Sequence, residues 1–147
     1  LRDAFENAVV GAESGGSDGL SFGGDGVDAK PSAYFKIRNG GVEWRSSMRF
    51  GESAGGTQFL RLTKMADTLV LLWQAPEERL EPELDSWNQA PRRVVLTKLE
   101  VFEIATKAEI GDEWQVGADS RDTPALVRLV IKASGRFWPE LIMPVQR

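Results

Sequence analysis

Ala125-Leu126-Val127-Arg128-Leu129-Val130-Ile131-Lys132, then Ala133-Ser134-Gly135-Arg136, then Phe137-Trp138-Pro139-Glu140-Leu141-Ile142-Met143-Pro144-Val145, is the stretch that decides the fold. In its first arm Val127, Leu129 and Ile131 share one side, and Arg128 and Lys132 share the other. That period of two is the signature of a half-buried strand. Gly135 stands where a short reversal needs a residue that tolerates positive φ. The second arm is apolar, yet Pro139 and Pro144 have no N–H to give a ladder. They place this arm at a sheet edge or at a bulge.

Upstream, the same alternation recurs. Phe35 and Ile37 alternate with Lys36 and Arg38, and Val42 and Trp44 alternate with Glu43 and Arg45. Asn39-Gly40-Gly41 between them is a strong turn signal, so the region 32–50 reads as a hairpin. Trp44 reads as a core residue. Thr57–Met65 and Thr68–Gln74 read as the next strand pair, the second buried on both faces. The region 75–91 is charged, carries Pro76, Pro82 and Pro91, and reads as an exposed excursion with a short helical turn at Glu77–Leu80. Val94–Ile104 reads as a strand whose opening part, Val94–Lys98, could be a turn leading into it. Gly111–Val116 reads as a short answering strand, and Gly117–Thr123 as a polar loop.

The start of the chain has a different period. Leu1, Phe5 and Val9 recur at i, i+4 and i+8, which predicts a short helix stopped at Gly11. One helix followed by seven to nine strands predicts an α+β class, a helix stub at 1–11 and a β-rich head at 12–147 in a single domain.

Composition narrows the chemistry. The chain has 147 residues and a net charge of −4, with no histidine and no cysteine. A nucleic-acid partner held by a basic face is not expected. Disulfides and thiolate chemistry are excluded, and the commonest general base and metal ligand is absent. No apolar run reaches the 18 or so residues that cross a bilayer. The chain begins at Leu1 and not at methionine, as expected of a fragment or a processed form.

Two local motifs stand out against that background. Gly23-Gly24-Asp25-Gly26-Val27-Asp28 matches the opening of a calcium-binding nonapeptide repeat, but only once, and Lys30 stands where the repeat needs an apolar residue. A solvated turn is the better reading, and no metal or cofactor is assigned. Gly51-Glu52-Ser53-Ala54-Gly55 fits the nucleophile elbow of serine hydrolases. That chemistry needs a base to take the serine proton, and the chain has no histidine. No catalytic residue is assigned.

The order of these pieces resembles the periplasmic domain of a type II secretion minor pseudopilin of the J class. The likeness is carried first by the hairpin Tyr34-Phe35-Lys36-Ile37-Arg38-Asn39-Gly40-Gly41-Val42-Glu43-Trp44-Arg45. Val95-Leu96-Thr97-Lys98-Leu99-Glu100-Val101-Phe102-Glu103-Ile104 and Gly111-Asp112-Glu113-Trp114-Gln115 follow it. The strand from Pro124 to Ile131, with its apolar finish at Met143-Pro144, completes the series. The resemblance implies a protein held in the bacterial inner membrane by an apolar helix upstream of Leu1, with its head in the periplasm. It implies partners, the I and K classes of minor pseudopilin, joined at the tip of a short pseudopilus that helps export folded proteins. The role would be structural, without catalysis, through the helix stub and the β head. Leu1, Phe5 and Val9 are nominated as an interface from their spacing. A minor pilin of a type IV pilus or DNA-uptake system, and a β-sandwich module binding calcium or carbohydrate, stand as alternatives.

Overall fold

The computed structural model describes residues 34–47, 57–76, 81–120 and 122–145. Two antiparallel sheets face each other. The first is a meander in which neighbours in sequence are neighbours in space: β1 (Phe35–Arg38), β2 (Gly41–Ser47), β3 (Thr57–Met65), β4 (Thr68–Gln74) and β5 (Arg92–Leu96). The second holds β6 (Leu99–Lys107), β7 (Gln115–Val116), β8 (Leu126–Ala133), β9 (Arg136–Phe137) and β10 (Leu141–Pro144). Its order is β10-β8-β6-β7, and β9 also pairs with β8.

Turn chemistry sets these registers. Asn39 and Gly40 have φ of 49° and 63°, and Ser134 and Gly135 have φ of 51° and 74°. Two consecutive residues at positive φ match the twist of the flanking strands, so both hairpins close through two residues. The region 94–104 is not one strand. Lys98, at φ 53°, breaks it between β5 and β6, and the chain changes sheets there. Leu99 N–H donates to Asp67 O, and Ser134 N–H donates to Lys98 O, which pins that corner to both sheets.

The core lies between the sheets. Ile37, Val42, Trp44, Leu60, Leu62, Leu69 and Leu71 of the first sheet meet Leu99, Ile104, Val127, Leu129 and Ile131 of the second. Alternation puts each set on one face, and each side chain fully buried there contributes about 1.5–3 kcal/mol. The apolar run Leu69-Val70-Leu71-Leu72 is buried on both faces, as the sequence predicts. Its second face has its own cover. Phe59, Val70 and Leu72 pack against Trp87, on a 3-10 helix at Leu84–Gln89 within the proline-rich excursion. Residues 81–91 of that excursion are therefore a strap closed over the sheet, and not the fully exposed segment that its charge suggests; the helical turn expected at Glu77–Leu80 lies outside the described residues.

The expected α+β class is corrected. The described residues are mostly antiparallel strand, and the 3-10 helix is the one helical element among them. A pseudopilin-like arrangement with a helix stub is not shown, and residues 1–11 lie outside the described residues. The physical reason is that two sheets can hide their apolar faces on each other. The strap covers the apolar part of the first sheet's outer face, so no helical layer is needed to complete what is described.

Candidate functional site

The densest polar cluster sits under the strap, on the outer face of the first sheet. Register places Lys36 beside Glu43, and Glu43 beside Arg61, across β1, β2 and β3. The alternation of β2 suggests a solvated Glu43, yet it is fully buried. Its Oε2 accepts from Tyr34 Oη and Arg38 Nη2, each at 2.7 Å, and its Oε1 accepts from Arg38 Nε at 3.0 Å. Arg61 Nη1 completes the set at Oε1. Arg38 Nη2 also donates to Pro82 O at 2.8 Å, which ties the cluster to the strap. Lys36 forms an ion pair with Glu81 at the rim.

Electrostatics follow from that geometry. Burial pushes the Tyr34 phenol well above its ordinary range, and its hydrogen bond to Glu43 adds to the shift. The Glu43 hydrogen bonds push Arg38 further toward the charged form. Four donors converge on one carboxylate, so Glu43 has no spare lone pair for a proton-transfer role. The cluster fastens three strands to the strap; it is a structural device. A groove beside it is lined by Phe59, Gln74, Glu81, Pro82 and Ser86. There Gln74 Nε2 already donates to Ser86 Oγ at 3.1 Å.

The second sheet presents a different surface. On its outer face Trp114 lies 5.0 Å from Lys107 Nζ and 4.8 Å from Arg128 Cζ, measured to the ring centroid. Further along, Lys132 bonds Glu100 at 2.6 Å, and Gly135 N–H donates to the same carboxylate at 2.5 Å. The Lys132 bond, and then the Gly135 N–H, hold the Glu100 carboxyl below its ordinary range.

At the edge of this sheet the closing hairpin exposes three large apolar side chains. Phe137 is 66% exposed, Trp138 48% and Ile142 53%. Their placement comes from Pro139. β9 pairs Phe137 with Lys132, Trp138 N–H still reaches Ile131 O, and β10 then pairs Leu141 with Leu129. One extra residue is accommodated at 138–140, so both sequence-level options for the prolines are realised, an edge and a bulge. Phe137 and Ile142 lie opposite Lys132 and Arg128 and share their face of the sheet. Lys132 Nζ sits 5.6 Å from the Phe137 ring centroid. Exposed aromatics beside aliphatics and cations suit a protein–protein contact.

Leu1, Phe5 and Val9 lie outside the described residues, as do Asp25 and Asp28 of the glycine-rich loop and Ser53 of the elbow motif. Among the described residues no group of acidic side chains is arranged to hold a metal ion, and no helix is long and apolar enough to cross a membrane. The Glu43 cluster and the Phe137–Ile142 edge were not singled out as sites by sequence reasoning. The signal for the first was an acid placed between basic neighbours on β1 and β3; for the second it was Phe-Trp-Pro after a turn. No family model matches the chain, and no curated protein matches it at a significant level.

Proposed function

We propose that this domain is the head of a J-class minor pseudopilin, a structural subunit of a type II secretion system. It assembles with I- and K-class minor pseudopilins at the pseudopilus tip to support export of folded proteins. The native chain is anchored in the inner membrane by a segment upstream of Leu1, and the head works in the periplasm.

One observation carries the reading. The stretch with the family resemblance at its C-terminal end also bears the exposed side chains Phe137, Trp138 and Ile142. Burying a large apolar side chain contributes up to about 1.5–3 kcal/mol, which favours this edge as part of a contact surface. Glu43, the one fully buried carboxylate among the described residues, is saturated by its four donors, which favours a role in assembly over one in catalysis.

Co-purification with I- and K-class heads tests this. The wild-type head retains them, and Phe137→Asp with an unchanged melting temperature loses them. Retention by Phe137→Asp and Trp138→Ala alike would exclude this edge as the contact. Failure of the wild type to retain either head would exclude the assignment.

A further inference from the structure

Five strands lie at sheet edges among the described residues, β1, β5, β7, β9 and β10, and four of them offer little ladder to a further strand. β1 is bridged at Ile37 by Ser120, whose N–H donates to Ile37 O at 3.0 Å. β7 and β9 have two residues each. β10 has four residues, ends on Pro144 and follows the bulge at Pro139. Pro144 has no N–H to offer a neighbour.

β5 differs. It has five residues, Arg92-Arg93-Val94-Val95-Leu96, with no proline inside the strand. Trp73 N–H donates to Pro91 O, and Leu71 pairs with Arg93, so residues 91 and 93 turn their backbone toward β4. Arg92 and Val94 consequently turn their N–H and C=O groups away from the sheet. Arg92, Arg93 and Val94 are all exposed, Val94 at 51%. Neither arginine has an acidic partner among the described residues.

An open edge is an association hazard, and charge is one of the ways proteins block it. Here two arginines are the block. A second copy of this chain pairing edge to edge would bring four guanidinium groups together. An acidic strand would meet the same edge with opposite charge, so the block against self-pairing selects for it.

We infer that β5 is a strand-addition site for an extended acidic segment of a partner protein, in which Arg92 and Arg93 select the charge and the outward backbone of Arg92 and Val94 supplies the ladder. This site is separate from the Phe137 edge and does not depend on the secretion assignment.

The test uses the described chain and two synthetic peptides, one alternating glutamate with valine and one alternating lysine with valine. Binding is followed by the backbone amide signals and hydrogen exchange of Arg92 and Val94. The glutamate peptide slows exchange at both amides, and the lysine peptide does not. Arg92→Glu/Arg93→Glu weakens the glutamate peptide by at least about tenfold and admits the lysine peptide. Val94→Pro removes an outward N–H without breaking a β4 bond, and it abolishes binding while leaving the melting temperature within a few degrees. Equal binding of the two peptides, or protection of neither amide, would overturn the inference.

Discussion

The guanidinium of Arg61 lies against the bare α-carbon of Gly41: a β-carbon built there would stand 2.8 Å from Arg61 Cζ and Nη2. Arg61 cannot swing aside freely, because its Nη1 is engaged by Glu43 and its Nη2 donates to Arg38 O at 3.1 Å. Gly41→Ala is therefore expected to cost about 1–3 kcal/mol, as in other overpacked sites. Urea unfolding measures it. In a double-mutant cycle with Arg61→Leu the cost should largely disappear, since the clash partner is gone.

Gly40 is the contrasting case. Nothing lies within 4 Å of its missing β-carbon, but its φ is 63°. Gly40→Ala should cost about 1 kcal/mol through backbone strain alone, and that cost should persist in the Arg61→Leu background. The two adjacent glycines thus separate by their coupling to Arg61.

Breaking the buried ion cluster should be more severe. Glu43→Gln leaves Arg38 and Arg61 without a counter-charge, with Arg61 almost fully buried. The expected loss is roughly 3–5 kcal/mol, read as a fall in the urea midpoint. Because Arg38 also holds Pro82 O, amides of the strap at 83–90 should lose hydrogen-exchange protection beyond the global change.

Tyr34 is the sole tyrosine of the chain, so phenolate absorbance reports it without ambiguity. Its folded pKa is raised, first by burial and then by Glu43. A raised folded value means the stabilisation is present below the unfolded value near 10 and is lost as pH rises beyond it. Alkaline titration should therefore show no phenolate near pH 10 in the folded state, and ionisation should coincide with unfolding. Tyr34→Phe should flatten the alkaline limb of the stability curve.

Trp87 closes the outer core with its indole Nε1 buried and without a hydrogen-bond partner among the described residues. Trp87→Phe keeps most of the apolar contact and removes the unpaired donor. It should cost clearly less than Trp87→Ala, which should lose about 3–5 kcal/mol.

Much of this architecture was legible because it is written in short-range patterns. Thr57–Met65 and Thr68–Gln74 were read with the observed bounds, and Asn39-Gly40 and Gly135 marked their turns. What escaped depends on partners distant in sequence. Glu43 looks solvated when only β2 is considered; it is buried because Arg61 is 18 positions away in sequence and the strap arrives from Pro82. Gly41 looked like a turn residue, and its reason is a guanidinium from β3. Lys98 gave no glycine or proline signal for the break between β5 and β6, since it holds a left-handed conformation that tertiary bonds stabilise. The α+β expectation came from spacing in residues 1–11, which lie outside those described.

A photoreactive side chain placed at Phe137 in cells carrying the full secretion apparatus tests the assembly reading most directly. Ile110 is the control position, since it is 77% exposed and follows the opposite end of β6. The reading requires a covalent adduct between position 137 and an I- or K-class pseudopilin, with none from position 110. Adducts from both positions alike, or from neither, would contradict it.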